Sequence, residues 1–188
     1  MVILSNDLIN ELKNLTQEYL AFAEGLLLKT EAELNKRLSD ESWSVLECLE
    51  HLNLYGSFYL PEIKNRIEKS STKATSEFKS GWLGNYFAQS MLPKEKLNKM
   101  KAFKSMNPIH SSLSKTTVMV FIDQQKQLLD LLNAAKLVNL NKVKTSISIT
   151  TLIKLKLGDT FRFLIYHNKR HIVQAKKVLT SLNYSISV

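Results

Sequence analysis

Two histidines stand four residues apart in the stretch "FRFLIYHNKRHIVQAKK" (161–177). The apolar residues around His167 and His171 recur at steps of three and four, which is typical of a helix with one buried face. Side chains at positions i and i+4 of a helix lie one above the other, with Cβ atoms roughly 5–6 Å apart. Two imidazoles at this spacing can hold a single metal ion, as they do in helical zinc sites.

A histidine pair leaves a metal site incomplete, and His51 is the candidate for the third ligand. It lies in "SVLECLEHLNLYGSF", on a stripe of apolar residues with helical spacing. The chain has four histidines, and three of them fall at inward-leaning helical positions, His110 being the exception. Each could instead be a core-edge histidine hydrogen-bonded to a neighbour, but three on two helices favour a metal. We therefore predict that His51, His167 and His171 converge on one divalent ion.

The residues near these histidines limit the chemistry. Three histidine ligands leave positions open for water or substrate, as in catalytic rather than structural metal sites. "HNKRH" lacks the glutamate that serves as general base in H-E-x-x-H proteases. Glu47, one turn before His51, could accept a proton or orient a water, although a capping role already explains it. Cys48 could be a fourth, soft ligand, although a lone cysteine on a helix is more often buried filler.

Helical spacing of apolar residues predicts four long helices that would position these side chains. They are expected at residues 6–35, 45–67, 113–136 and 157–182. Ser5 can cap the first helix, and Ser44 and Glu47 form an S-x-x-E capping box at the start of the second. In the third helix, four residues are expected to face inward: Val120, Leu128, Leu131 and Leu132.

The connections between these helices predict an all-α four-helix bundle. Residues 70–111 form a crossover with one short helix near 83–90, long enough for the second and third helices to be parallel. The shorter links make the first and second helices antiparallel, and likewise the third and fourth. The stretch 138–156 is a second connection, in which "TSISIT" (145–150) is too short and isolated to predict a sheet.

Composition limits the class of protein. The length of 188 residues suits one domain over residues 1–188, and one cysteine fits a reducing compartment. No signal peptide and no apolar run of about 18 residues is visible, so we expect a cytoplasmic protein without membrane association. The formal charge of +9 invites a nucleic-acid function. Only four of the 26 basic residues are arginines and no recognition motif occurs, so we expect no specific nucleic-acid binding.

Two segments resemble the signatures of the DinB-like superfamily. They are "SWSVLECLEHL" (42–52), with a tryptophan-serine helix start and a histidine, and "GDTFRFLIYHNKRHIVQAKKVL" (158–179), with H-x-x-R-H-x-x-Q-A. The basic stretch "KMKAFKSMNP" (99–108) is similar to the crossover loop of the DinB-like subgroup. The likeness covers residues 8 to 182, and it is the combination of these pieces that is specific.

This resemblance implies a four-helix bundle of up-down-down-up topology. It also implies a divalent metal, commonly nickel or zinc, on a triad that maps onto His51, His167 and His171. Some relatives are thiol-dependent transferases or isomerases that use bacillithiol, mycothiol or glutathione. We therefore expect a metal-dependent thiol transferase acting on a small-molecule substrate, and a homodimer. The alternatives are a metal-dependent hydrolase and a non-catalytic bundle that binds a metal or small ligand.

Gln174 is a candidate for a supporting role at the predicted metal site. It follows His171 by three residues on the same predicted helix, so its amide could reach a metal-bound water or a ligand histidine. A buried amide with ordinary hydrogen-bond partners is the alternative.

Overall fold

The computed structural model describes residues 1–93 and 102–184, and these residues are mostly helical. Their elements, in chain order, are β1 Val2–Leu4, α1 Ser5–Leu26, α2 Glu31–Asn35, α3 Val45–Glu68, β2 Glu77–Lys79, α4 Trp82–Met91, a 3-10 turn at Lys104–Met106, α5 Thr116–Ala135, β3 Lys144–Ile147, β4 Thr150–Lys156 and α6 Leu157–Tyr184.

The four long helices α1, α3, α5 and α6 pack around one apolar core. Both α1 and α3 contact α5 and α6, while the short helix α4 packs on α6. Each long helix contributes fully or nearly fully buried side chains to this core: Leu12, Leu49, Phe121 and Leu164. The predicted helical bundle is therefore present. None of the helices in the described part of the chain is long and apolar enough to cross a membrane.

The predicted first helix, 6–35, is wrong in its extent and in its cap. The helix α1 ends at Leu26, and a separate short helix α2 begins after a capping box formed by Thr30 and Glu33. Ser5 is the first helical residue rather than the cap, and its hydroxyl has no hydrogen-bond partner. The cause is tertiary, since the preceding residues form β1 and the backbone N–H of Ser5 donates to Ser76 O at 2.7 Å.

The predicted second helix is confirmed as α3, including its capping box. The Ser44 hydroxyl accepts from the backbone N–H of Glu47 at 3.2 Å, and the Glu47 carboxylate accepts from the backbone N–H of Ser44 at 2.7 Å. This reciprocal pair satisfies two amides of the first turn that have no partner within the helix. The cap determines the residue at which α3 begins. It thereby helps to place His51, two turns later, on the side of the helix that faces the core.

In its described residues, the crossover contains the predicted short helix, α4, and also the strand β2, which pairs antiparallel with β1. The first residues of the basic stretch 99–108 lie outside the described residues.

The third predicted helix begins at Thr116 instead of 113. Val120 was predicted to face inward, but it is 41% exposed.

The prediction that residues 138–156 contain no sheet is wrong. The strands β3 and β4 form an antiparallel hairpin in which Thr145 pairs with Leu155. Tertiary contacts stabilise these short strands: Thr145 is fully buried and its hydroxyl bonds Thr160 on α6 at 2.6 Å. The backbone N–H of Ser148 donates to the Tyr59 hydroxyl on α3 at 3.2 Å. The alternating polar and apolar pattern of residues 145–150 carries no information about these contacts with α3 and α6, so it could not predict the hairpin.

Candidate metal centre

The three predicted histidines lie together between α3 and α6. The Nε2 atom of His167 is 3.1 Å from Nε2 of His51 and 3.1 Å from Nε2 of His171. The potential ligand atoms of all three lie within 4.8 Å of one another. The side chains are buried, with exposed fractions of 3% for His51, 5% for His167 and 8% for His171. Three buried imidazoles in this arrangement could bind a metal ion.

Helix geometry explains the convergence. His167 and His171 are one turn apart on the buried face of α6, between the core residues Leu164 and Ala175. His51 lies on the buried face of α3, next to the core residue Leu52. Because α3 packs directly on α6, the ring of His51 meets both rings of the pair, with centroids 4.9 and 4.6 Å away.

Hydrogen bonds fix the tautomers of two of the rings. His51 Nδ1 lies 2.5 Å from the Met106 carbonyl oxygen, and His171 Nδ1 lies 3.0 Å from Gln174 Oε1. Both oxygens only accept, so each Nδ1 carries the proton and each Nε2 presents a lone pair. Both lone pairs point toward Nε2 of His167, whose single proton can satisfy one of them.

A divalent ion suits this donor set. It would satisfy the Nε2 lone pairs of His51, His167 and His171 together, and the two distances from His167 Nε2 to the other Nε2 atoms are close to those of a zinc site. Ligands about 2.0–2.1 Å from a tetrahedral zinc ion lie about 3.3–3.4 Å apart, close to the observed 3.1 Å. Within the described residues, His167 Nδ1 is buried without a hydrogen-bond partner.

Burial keeps the imidazoles neutral. Removal from solvent lowers the pKa of His51 to about 4, an effect that its bond to the Met106 carbonyl only partly offsets. Burial, and then proximity to His51, lowers the pKa of His171 to about 3. The pKa of His167 is lowered well below its ordinary value by burial first and by the other two histidines second. Neutral imidazole is the form that binds metals.

Aromatic rings surround the histidines. The centroid of Trp43 is 4.7 Å from that of His51 and 5.4 Å from that of His171. Tyr55 packs 4.5 Å from His167, and Phe163 stacks on His167 at 5.9 Å with an interplanar angle of 15°. These rings exclude water from the cluster and lower its local dielectric constant. Sequence reasoning placed Trp43 only at a helix start and missed its contact with the site.

Gln174 lies where a supporting residue was expected, because its amide oxygen holds the Nδ1 proton of His171. The matching partner of His51 is the backbone carbonyl of Met106, which sequence reasoning missed. A backbone carbonyl is present at every residue, so no signal in the sequence could have identified this one.

Cys48 is fully buried next to His51, and burial raises the pKa of its thiol. It is not a member of the histidine cluster.

Glu47 is committed to structure. Its Oε1 accepts from Arg37 Nη2 at 2.6 Å and from the backbone N–H of His110 at 2.5 Å. Its Oε2 accepts from Arg37 Nε at 2.9 Å and from the backbone N–H of Ser44 at 2.7 Å. Burial would raise the pKa of this carboxyl, but the Arg37 guanidinium and the two amides hold it below its usual range. Four accepted bonds occupy the acceptor sites of a carboxylate.

Comparisons with known proteins show the family of this chain and a solved structure with a similar fold. A family model described as the DinB superfamily matches residues 11–175. Among solved structures, YfiT from Bacillus subtilis, described as a probable metal-dependent hydrolase with an unusual four-helix bundle topology, matches with a TM-score of 0.55 at 12% identity. The match covers 95% of this chain and 87% of that chain. No curated protein sequence matches at a significant level.

Proposed function

The chain belongs to the DinB superfamily, and from this premise we propose that it is a metal-dependent thiol transferase whose divalent ion is bound by His51, His167 and His171. The proposal rests on the position of His167 Nε2, which lies 3.1 Å from Nε2 of both His51 and His171, with the potential ligand atoms of all three buried side chains within 4.8 Å of one another. Imidazole nitrogens suit zinc, nickel, copper and iron, and we propose zinc or nickel because the resemblance to the DinB-like superfamily implies one of these two metals.

The protein's own residues prepare this site in advance. The Met106 carbonyl and the Gln174 amide oxygen hold the Nδ1 protons of His51 and His171, so both rings keep the orientation that a ligand needs. Trp43 and Tyr55 exclude water around the rings. A divalent ion bound there would supply Lewis-acid chemistry, lowering the pKa of a thiol or water placed on it.

Thiol transfer is favoured over hydrolysis by the lack of a nearby base. Within the described part of the chain, the cluster comprises three histidines and no carboxylate. The carboxylate of Glu47 is saturated with hydrogen bonds. A thiol has an ordinary pKa of about 8.5, against about 15.7 for water, so it loses its proton with much less assistance. Cys48 is buried, so the reacting thiol must come with the substrate.

In the proposed reaction, a low-molecular-weight thiol gives its proton to solvent and its sulfur bonds to an electrophilic carbon of a second substrate. The leaving group departs with the electron pair of the bond that breaks. The test is to assay zinc- and nickel-loaded protein with monochlorobimane and bacillithiol, mycothiol or glutathione. We expect chloride release and a fluorescent thioether, with rates at least tenfold above those of the His51→Ala variant. Rates equal to that variant with all three thiols would contradict the proposal.

A metal-dependent hydrolase is the second candidate, because YfiT is described as a probable one. The same metal-loaded protein is therefore assayed with activated esters and amides. Hydrolysis that depends on His51, without thiol transfer, would favour this candidate.

A non-catalytic metal-binding bundle is the third candidate, favoured by the burial of the histidines. The most exposed of them, His171, shows only 8% of its surface. Metal binding without turnover in either assay would favour this function.

We also infer the up-down-down-up order of the four long helices. Lys13 in α1 contacts Asn133 at the end of α5, and Lys115 before α5 contacts Leu27 after α1, which supports an antiparallel pair. Contacts between α3 and α5 run in the same direction along both helices. Asn53 bonds Thr117, and Ser57, one turn later on α3, bonds Gln124, two turns later on α5, which supports a parallel pair.

The contacts between α3 and α6 run in opposite directions. His51 meets His167, while Tyr59, two turns later on α3, meets Phe163, earlier on α6. If α1 is up, α5 and α3 are then down and α6 is up.

A cytoplasmic location, a homodimer and the absence of specific nucleic-acid binding remain predictions from the sequence.

A further inference from the structure

The loop of residues 106–110 lies against the start of α3. Three hydrogen bonds attach it, one each to Trp43, Glu47 and His51. The partners are Met106 O with His51 Nδ1 at 2.5 Å, Asn107 Oδ1 with Trp43 Nε1 at 3.1 Å, and His110 N with Glu47 Oε1 at 2.5 Å. The same loop therefore contacts a proposed metal ligand, an aromatic ring beside it and the buried carboxylate of Glu47.

The contact with Glu47 restrains the end of this loop. His110 has a φ of 64°, a left-handed conformation that is unfavourable for residues with a side chain. Such a conformation persists where surrounding interactions determine it. The His110 side chain is exposed, so its backbone bond to Glu47 is what holds it.

Glu47 is itself held from two other directions. The guanidinium of Arg37 binds both carboxylate oxygens, and the backbone N–H of Ser44 binds one of them. The carboxylate is fully buried and lies one turn before His51 on α3. It therefore connects the segment before α3, the cap of α3 and the loop that carries the Met106 carbonyl.

We propose that Glu47 is a positioning residue of the metal centre, which fixes the 106–110 loop so that the Met106 carbonyl holds the Nδ1 proton of His51. The Nε2 lone pair of His51 then faces His167 and His171 before any ion arrives. This inference rests on the proposed function only in its second part, the effect on metal affinity. The effect on the His51 tautomer is a property of the metal-free protein.

The test compares Glu47→Gln with Glu62→Gln, a matched control. Glu62 also lies on α3 and accepts from an arginine and a backbone N–H, Arg66 and Ser146, away from the histidines. A glutamine has one acceptor oxygen and an NH₂ donor, so it cannot accept all four bonds that Glu47 accepts. The tautomer of His51 is measured by ¹⁵N NMR of metal-free protein, and zinc affinity by competition with a chelator.

We expect His51 to be a single Nδ1–H tautomer in the wild type and in Glu62→Gln, and a mixture in Glu47→Gln. Zinc affinity should fall about 10- to 100-fold in Glu47→Gln only. An unchanged His51 tautomer in a folded Glu47→Gln protein would overturn the inference. A wild type that binds neither zinc nor nickel would overturn the proposed function instead, and the tautomer would still decide the role of Glu47.

If Glu47→Gln does not fold, Asn107→Ala supplies the test. Asn107 is exposed, and its loss frees the same loop from Trp43 without disturbing the buried carboxylate. Glu47 still binds the backbone N–H of His110 in this variant, so we expect His51 to stay a single Nδ1–H tautomer and zinc affinity to stay close to that of the wild type. A mixture of tautomers would show that Asn107, and not Glu47, fixes the loop, and would overturn the inference.

Discussion

The buried histidines should make the metal-free protein less stable in mild acid. Their pKa values are lowered in the folded chain, to about 4 for His51 and about 3 for His171, and return to about 6.5 on unfolding. The unfolded chain therefore binds more protons below pH 6.5, and stability present above that pH is lost as pH falls. For each histidine that stays neutral in the folded chain, the free energy of unfolding falls by about 1.4 kcal/mol for every pH unit below pH 6.5.

Urea unfolding of metal-free protein at pH 7.0 and pH 5.0 measures this effect. The His171→Asn variant should lose less free energy of unfolding over the same interval than the wild type. Equal free energies of unfolding at the two pH values in the wild type would show that the histidines are protonated in the folded chain.

Replacing Gln174 should weaken metal binding without removing a ligand. The variant Gln174→Ala leaves His171 Nδ1 without its acceptor, so the ring loses its fixed tautomer and orientation. Zinc affinity measured by chelator competition should fall about 10- to 100-fold. Gln127→Ala, at an exposed glutamine whose amide donates to Asp123, is the control and should bind like the wild type. Identical affinity in both variants would exclude the role given to Gln174.

The three histidines could be predicted from the sequence, but one of their hydrogen-bond partners could not. His51, His167 and His171 were identifiable because helical spacing places them on buried faces, and because an i,i+4 pair is meaningful without further context. Gln174 was identifiable from the same spacing. The Met106 carbonyl was not, because it reaches His51 across 55 residues through a loop whose path depends on tertiary contacts.

At the scale of elements, α4 is joined to α6 by a buried polar cluster. Asp159 and Arg162 on α6 are fully buried and form an ion pair at 3.2 Å. Asp159 also accepts from the backbone N–H of Gly81, and Arg162 donates to Asn85 Oδ1 at 3.1 Å. Gly84 allows the two helices to approach, since a Cβ there would overlap the Asp159 carboxyl.

The variant Gly84→Ala should therefore destabilise the protein. Because the added methyl group meets Asp159 in a packed interface, we expect the free energy of unfolding to fall by about 1–3 kcal/mol. Gly25→Ala on α1 is the matched control, since nothing lies within 4 Å of a Cβ at that position. Its free energy of unfolding should be unchanged or rise by up to about 1 kcal/mol. Urea denaturation of both variants checks this, and equal stability of the two would contradict the close approach of α4 and α6.

The elements differ in how well the sequence predicts them. The helices α3 and α6 have long apolar stripes, and α3 has a capping box, so local signals were sufficient. The hairpin of β3 and β4 was missed because its support comes from Tyr59 on α3 and Thr160 on α6. The break after α1 was missed because the helix-forming residues that follow it belong to a second capped helix, α2.

At the scale of the whole molecule, the charge of +9 gives a prediction about nucleic acid. A lysine-rich surface attracts phosphates without reading bases, so any affinity should be independent of sequence and should fall steeply with salt. Fluorescence anisotropy with two unrelated duplexes, at 20 mM and 150 mM salt, measures this. A sub-micromolar dissociation constant for one sequence alone at the higher salt would contradict it.

We expect one divalent ion to bind to the three histidines of a bundle that folds without it. The most direct measurement is elemental analysis of protein without a polyhistidine tag, dialysed against zinc or nickel, together with circular dichroism. We predict one ion per chain for the wild type and for the control His110→Ala, and none for His171→Ala, whose helicity should persist because the apolar faces of four helices supply the folding energy. A His171→Ala protein that retains one ion, or a wild type that retains none, would contradict the account.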